Sequence, residues 1–173
     1  MRGNTQLRSV YAQDGWAFAP RWKTVLGARL ERWTASNGLT DFSASSALSF
    51  PSRSESFVSP KAALSYQGAA DTVLKASAGR AVRFPTVGEL YGATSTANSQ
   101  YINDPNLRPE KSLTTELTAE KDLGSGLLRL TFFTENTRDA LYSQTAFDAA
   151  ANLNISRVQN IGRIATKGLK DAS

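Results

Sequence analysis

Neither cysteine nor histidine occurs in the chain, which removes thiol chemistry, disulfide frameworks and ordinary zinc sites. No run approaches the ~18 consecutive apolar residues of a membrane-spanning helix. That absence excludes helical membrane proteins only, because a membrane β-strand needs just alternate apolar residues over ~9–11 positions. The first nine residues, MRGNTQLRS, lack the apolar stretch of a signal peptide, so in an exported protein Met1 is not the start of the precursor. Basic blocks are missing too: 20 Lys and Arg are scattered among 15 Asp and Glu, for a net charge of +5. With no aromatic platform interleaved among them, a nucleic-acid partner is not expected. Gly162 to Gly168 has the wrong order for a phosphate loop, and no helix follows it. Glu116 and Glu120 share a strand face without a defined pocket, so they read as a solvated wall rather than an acid/base pair. No catalytic constellation, cofactor site or metal site is expected.

What is there is period two. The 173 residues, 40% of them hydrophobic, suit one domain of ordinary size or a piece of something larger. Alternating runs broken by turn residues predict strands at 5–18, 22–33, 55–66, 72–82, 112–122, 127–136 and 157–169. The fold class that follows is all-β, an antiparallel up-and-down meander of about seven long strands. Its connections alternate in kind. Ala19-Pro20-Arg21, Gly68 to Asp71 and Asp122 to Gly126 carry hairpin-turn residues. The stretches 34–54, 83–111 and 137–156 are long and rich in Ser, Asn, Thr and Ala. Short turns at one end and long loops at the other match an unclosed part of a transmembrane β-barrel.

Side-chain phase points the same way. Trp22, Thr24, Leu26, Ala28 and Leu30 share one face of the second strand, and Lys23, Arg29 and Glu31 the other. Lys61, Lys75 and Arg129 stand opposite apolar faces in their strands. A lipid-facing Lys or Arg costs ~2–4 kcal/mol at the bilayer midplane, so Arg29, Glu31, Lys61, Lys75 and Arg129 are expected to face a lumen. Trp16, Phe18, Trp22 and Tyr66 cluster beside the short turns, where an interfacial aromatic girdle sits. In the first strand Arg8 and Asp14 share a phase with Val10, Trp16 and Phe18, so the faces of the first and last strands stay unassigned. The alternation also fits a soluble sheet with one wet side. A soluble β-sandwich ligand-binding module of lectin-like kind is therefore the alternative, and a small closed porin-like barrel a third reading. Sandwich strands usually run ~5–6 residues, whereas these reach about ten.

Two pieces of the 83–111 connection stand out: Arg83-Phe-Pro-Thr-Val-Gly-Glu-Leu-Tyr91 and Asp104-Pro-Asn-Leu-Arg-Pro-Glu-Lys-Ser112. Pro105 and Pro109 fix φ and lack a donor, so they end pairing and hold an extended turn. Asn106 can bond its own backbone, Leu107 can anchor the loop, and Ser112 starts the descending strand. Five further pieces accompany them in order: Tyr11-Ala-Gln-Asp14, Leu26 to Glu31, Ser59 to Tyr66, Phe133 with Arg138-Asp139, and Asn160 to Gly168. In that combination the chain strongly resembles the C-terminal barrel region of TonB-dependent outer-membrane receptors, over nearly its whole length. Lys170 departs from the family's usual acidic residue two positions after the glycine, which puts one lumen or interface contact in doubt.

The resemblance implies a receptor of the Gram-negative outer membrane whose barrel, of ~22 strands, encloses a plug domain. Residues 1–173 would be a partial barrel domain, with the plug and the closing C-terminal strands absent from it. The implied partners are outer-membrane lipid, the plug, the TonB energy-transducing complex and a small-molecule ligand such as a metal chelate: ferric siderophore, haem, cobalamin or certain sugars. Such a protein is not an enzyme and needs no cofactor. The resemblance gives a structural role to Arg83, Phe84, Pro85, Glu89, Leu90, Tyr91, Pro105, Asn106, Leu107, Pro109, Glu110, Lys111, Ser112 and Gly168. Arg80, Arg83, Tyr91 and Tyr101 are the candidates for ligand contact, the arginines because a guanidinium binds carboxylate or phosphate bidentately. Among loop positions, the variable Gly92 to Tyr101 segment is the expected source of any contact.

A part-barrel with two open edges leaves unpaired N–H and C=O groups that lipid does not tolerate. Residues 1–173 by themselves are therefore expected to self-associate in liposomes without inserting or transporting. Specific ligand uptake, or a stable heat-modifiable monomer, would contradict that expectation.

Overall fold

Alternating sequences with β-branched and aromatic residues satisfy their backbone groups by lateral pairing, and here that pairing takes in most of the chain. The computed structural model describes residues 2–43 and 46–172. Its elements are β1 (Arg2–Ala19), β2 (Trp22–Ser43), β3 (Ser46–Phe50), β4 (Arg53–Ala69), β5 (Thr72–Arg83), α1 (Val87–Tyr91), β6 (Thr94–Ser95), β7 (Ser99–Ile102), β8 (Glu110–Asp122), β9 (Leu127–Asp148) and β10 (Leu153–Ala172). All strands belong to one curled sheet in the order β1-β2-β4-β5-β8-β9-β10-β7-β6, with β3 paired to β2. Every contact between consecutive long strands is antiparallel. No helix among the described residues is long and apolar enough to cross a membrane, which says nothing about strands.

The seven predicted strands are all present, but the sheet has ten strands, and two of the three expected long loops are mostly ladder. β2 and β9 each run 22 residues, about twice the ~9–11 that a bilayer crossing needs. Their upper halves lie in the stretches 34–54 and 137–156. There both faces meet water or other loops, so pairing persists while the apolar alternation that marks a strand is lost. Residues 44 and 45 of the first stretch, like Met1 and Ser173, lie outside the described residues. At Asn37, with φ of 55°, a bulge shifts the β1–β2 register and moves the inward phase from Trp33 and Ala35 to Gly38 and Thr40. The short turns stand where the turn residues placed them, with Gly124 at φ 76° in the β8–β9 turn.

Cross-strand register assigns the faces that periodicity alone left open. Val10, Trp16 and Phe18 of β1 align with Leu30, Thr24 and the end of the β1–β2 hairpin, and so join the apolar face of β2. That face continues through Val58, Leu64, Leu74, Leu117, Leu130, Phe132 and Leu169, all exposed. Leu117 is 60% and Leu169 69% exposed, and no second sheet covers them among the described residues. A soluble monomer rarely leaves an apolar face of this extent uncovered, and the sandwich reading has no partner layer. At the short-turn end the rings of Phe18, Trp22 and Tyr66 form a row, Phe18 stacked on Trp22 and Tyr66 tilted against it, with centroids 6.2 and 4.6 Å apart.

The opposite, inner face is polar along most of its length and carries the buried core only at the long-loop end. The core consists of Trp33, Ala35, Leu90, Tyr91, Leu107 and Val158, with Phe50, Phe84, Val87, Tyr101 and Leu141 against it. Tyr91 seats its ring on two glycines of neighbouring strands. A methyl group at Gly3 would come within 2.5 Å of the ring, and one at Gly38 would overlap it. Gly38→Ala is therefore expected to destabilise the loop end by about 1–3 kcal/mol, the range for overpacking. In a Tyr91→Ala background the same change should cost almost nothing. Urea unfolding of the four variants in a double-mutant cycle measures that coupling.

Candidate functional site

Local signals build the first half of the 83–111 segment. Thr86 caps α1: its hydroxyl accepts the Glu89 N–H at 3.4 Å and the Glu89 carboxylate accepts the Thr86 N–H at 2.8 Å, a capping box. Arg83, the last residue of β5, holds the other oxygen of that carboxylate at 2.7 Å. This short helix turns Leu90 and Tyr91 into the core. Their carbonyls do not go unpaired, since Asn103 donates to Leu90 at 2.5 Å and the Thr40 hydroxyl to Tyr91 at 2.7 Å. Phe84 stacks on Trp33 with centroids 5.8 Å apart, and Pro85 is buried beneath the turn.

Residues remote in sequence hold the second half. Asp104, rather than Asn106, makes the turn, its carboxylate accepting the Asn106 N–H at 2.8 Å. Arg53 donates to the carbonyls of Pro105 and Leu107 at 2.9 and 2.8 Å, pairs with Glu55 at 2.5 Å and lies 5.3 Å from the centre of the Trp33 ring. Hydrogen bonds from a charged donor are worth ~1.5–3 kcal/mol each, so Arg53 is a principal clamp on the loop. Asn160 grips the Arg108 peptide, accepting its N–H at 2.7 Å and donating to its carbonyl at 2.8 Å and to that of Asp139 at 2.7 Å. Leu107 and Pro109 are fully buried. β8 starts at Glu110, two residues before Ser112, and the Glu110 carboxylate accepts the Leu141 N–H at 2.9 Å. Lys111 lies 3.9 Å from Asp139 and 5.5 Å from the Phe57 ring centre. Gly168 stands apart on β10, where a Cβ would meet the Phe133 ring at 2.7 Å.

No local signal in the sequence marks Trp33, Thr40, Arg53 or Asn103, and Asn160 stands out only as part of a strand signature. No local pattern marks Arg53: it lies just before the predicted strand at 55, in a polar stretch, and the loop carbonyls it holds are more than 50 positions away.

The four candidates for ligand contact do not converge. Arg83 is engaged by Glu89, Tyr91 is 1% exposed, and Tyr101 packs against the core. Arg80 opposes Leu113 in the apolar phase of the sheet, and it also borders the hollow of Tyr11, Arg29 and Lys61 near the strand's upper end. Burial pushes the Tyr91 phenol up against an opposing effect of Arg53, and burial together with the charge of Glu89 pushes up that of Tyr101. Neither is an anion at neutral pH. The exposed part of the loop is β6 and β7; β7 pairs in parallel with the outer edge of β10, from Ser99↔Asn154 to Ile102↔Arg157.

Below this roof the inner face is lined by charge pairs. Arg29, Glu31, Ser59 and Lys61 share one hollow with Tyr11; Glu31, 6% exposed, accepts from Ser59 at 2.6 Å and lies 3.8 Å from Arg29. Lower down, Glu120 takes both Lys75 at 2.7 Å and Arg129 at 2.8 Å. Lys170 lies 3.8 Å from Glu116 and over the Phe133 ring at 4.4 Å, so a lysine at this position has partners of its own. Among the described residues no group of three His, Cys, Asp or Glu side chains is placed to hold a metal ion.

The family model described as "TonB dependent receptor-like, beta-barrel" matches residues 2–169. Among solved structures, the haemophore receptor HasR of Serratia marcescens, a double mutant in complex with its haemophore HasA and haem, aligns at 14% identity and a TM-score of 0.82. The alignment covers 98% of this chain and 31% of HasR. The copper transporter OprC aligns at 18% identity and a TM-score of 0.73 over 96% of this chain and 26% of its own. The FrpB iron transporter of Neisseria meningitidis aligns at 17% identity and 0.63 over 96% and 23%. The chain thus spans less than a third of each of these structures. No curated protein matches it.

Glu89 offers a pH test of the cap. Burial raises its carboxyl, but the hydrogen bonds from Thr86 and Arg83 outweigh burial and hold it below the ordinary value of 4.5. A depressed acid stabilises the folded form above its unfolded pKa, and that contribution is lost as pH falls through the folded value. Protection of the Leu90 and Gly92 amides, which close the helical turn, should therefore exceed that in Glu89→Gln by about 1 kcal/mol at pH 7. The difference should shrink below pH ~4.5 and vanish in stronger acid. Hydrogen exchange corrected for its intrinsic pH dependence measures it.

Proposed function

The chain belongs to the TonB-dependent receptor-like β-barrel family, and on that premise we propose that it forms part of the wall of an outer-membrane importer for a scarce small molecule. Members of the family are receptors and transporters of the Gram-negative outer membrane rather than enzymes. The observation that carries the proposal is the division of the sheet into two faces, an uncovered apolar face with an aromatic row at its short-turn end and a polar face roofed by the folded 83–111 loop. In this reading the apolar face meets lipid. The polar face, with Arg29, Glu31, Lys61, Lys75 and Arg129, lines the lumen around a plug domain, and energy arrives through the TonB complex.

The ligand class is a metal chelate such as a ferric siderophore or haem, with cobalamin as a further member. The relatives support this class: HasR is a haemophore receptor seen in complex with its haemophore and haem, and FrpB is an iron transporter. The motif residues Phe84 to Tyr91 and Pro105 to Ser112 build the roof. Contact with ligand falls to the exposed tip, residues 94–99, and to the hollow at Tyr11, Arg29 and Lys61, whose unbalanced positive charge suits an anionic chelate.

The test is uptake by a strain lacking its other receptors and supplied with the receptor that carries this segment. Ferric siderophores of catecholate and hydroxamate type and haem, each labelled with radioactive iron, are the probes. Accumulation of one of them should require TonB. Replacing the exposed residues 94–99, which spares Tyr101 and its core contacts, by a Gly-Ser linker should lower uptake at limiting ligand by about tenfold, the effect of losing ~1.4 kcal/mol of contact, with the surface amount of receptor unchanged. Uptake that is independent of TonB, or absent for every probe, would contradict the proposal.

A further inference from the structure

Asp14 and Lys167 stand singly on the lipid-facing side of this sheet, but its arginines are grouped. Arg8 of β1 lies directly opposite Arg32 of β2, and Arg138 of β9 directly opposite Arg163 of β10. Like charges in directly opposed positions destabilise a ladder unless something neutralises them. Arg80 joins the second pair, lining one outward hollow with Arg138, Arg163 and Asn136. A separate hollow holds Arg8 and Arg32. All five arginines are exposed. Their polar contacts are neutral ones, Arg32 to the Ser54 hydroxyl at 3.3 Å and Arg163 to the Asn136 amide. None is paired with a carboxylate among the residues whose side chains are described. Of the two acids adjacent in sequence, Glu31 accepts from Ser59 and lies 3.8 Å from Arg29, and Asp139 is taken by Arg108 at 2.7 Å and Lys111 at 3.9 Å.

Height explains why the pairs are tolerated and what meets them. Arg8, Arg32 and Arg138 stand about ten residues along their strands from the short turns, roughly 25 Å of height at ~3.3 Å per residue and ~40° of tilt. That is the height of the apolar band itself, so the arginines emerge at its upper rim, on the long-loop side. Below Arg32 the same face presents Leu30, Ala28 and Leu26. A soluble partner cannot reach a wall embedded in lipid, whereas the headgroup of a lipid stands at this level. Paired guanidinium forks match phosphate oxygens in geometry as well as charge.

We propose that the Arg8–Arg32 and Arg80–Arg138–Arg163 clusters are binding sites for the phosphate groups of outer-leaflet lipid, holding an annulus of phosphorylated glycolipid against the barrel. The inference rests on the lipid-facing orientation argued above. It assigns to this face a ligand separate from the one imported through the lumen.

The experiment uses the complete receptor carrying this segment, purified in detergent. The probes are a hexa-acylated glucosamine disaccharide bearing two phosphates, the same lipid without phosphates, and inorganic phosphate. Native mass spectrometry and a fluorescent-lipid titration read binding. The diphosphorylated lipid should bind, the dephosphorylated lipid should bind at least tenfold more weakly, and 10 mM inorganic phosphate should not displace the lipid, as expected where acyl chains and headgroup act together. Arg138→Gln with Arg163→Gln should weaken binding by about tenfold, and Arg138→Lys with Arg163→Lys should keep most of it. Heat-modifiable mobility and ligand uptake are followed in parallel. A receptor that inserts and imports normally but binds both lipids equally, or whose Gln variant binds like the parent, overturns this proposal alone. Loss of heat-modifiable mobility in the parent protein overturns the barrel reading with it.

Discussion

Everything in this structure depends on cross-strand register. Side chains alternate faces with a period of two, so a slip of one residue in any ladder would carry a strand's charges into lipid and its leucines into the lumen. Here the phases agree from β1 to β10, with Asp14 and Lys167 the charged exceptions at mid-strand on the apolar face. Gly27, Lys61, Gly79 and Thr114 lie in one row on the polar side, while Leu26, Ala62, Ala78 and Thr115 lie beside them on the other. A charge at the bilayer midplane would cost ~2–4 kcal/mol, so the bilayer itself enforces the agreement. The loop core exists because the register puts Gly3 and Gly38 side by side and leaves a flat seat for Tyr91.

The loop that first draws the eye as a candidate for chemistry is architecture. Its two motif pieces meet on the inner wall, where α1 is stabilised by its own capping box and the proline segment by Arg53 and Asn160. Roofing of this kind turns the 26-residue span between β5 and β8 into a platform from which residues 94–99 project. On the proposed function, preorganised contacts at the entrance would lower the entropy cost of capturing a dilute ligand.

Much of this was legible in the sequence, for physical reasons that can be named. Seven long strands, the short turns and the two faces of β2, β4, β5 and β9 follow from period two, because one face must meet an apolar medium. The upper halves of β2 and β9 were missed because pairing in a two-sided polar environment needs no alternation, only hydrogen bonds. β3, β6 and β7 are too short to show a pattern at all. The burial of Leu90, Tyr91, Leu107 and Pro109 beside Trp33 was out of reach, since it is decided by long-range partners such as Arg53 and Thr40. The faces of β1 and β10 became clear only from register, because single charges such as Arg8 and Lys167 sit in otherwise apolar phases.

The central claim, that one face of this sheet meets lipid and the other a lumen, is tested most directly by a nitroxide scan of residues 113–120 in the complete receptor reconstituted in bilayers. Oxygen accessibility is predicted to peak at Leu113, Leu117 and Ala119, and accessibility to a water-soluble nickel chelate at Glu116, Thr118 and Glu120. Equal accessibility at odd and even positions, or the reverse phase, would contradict the account.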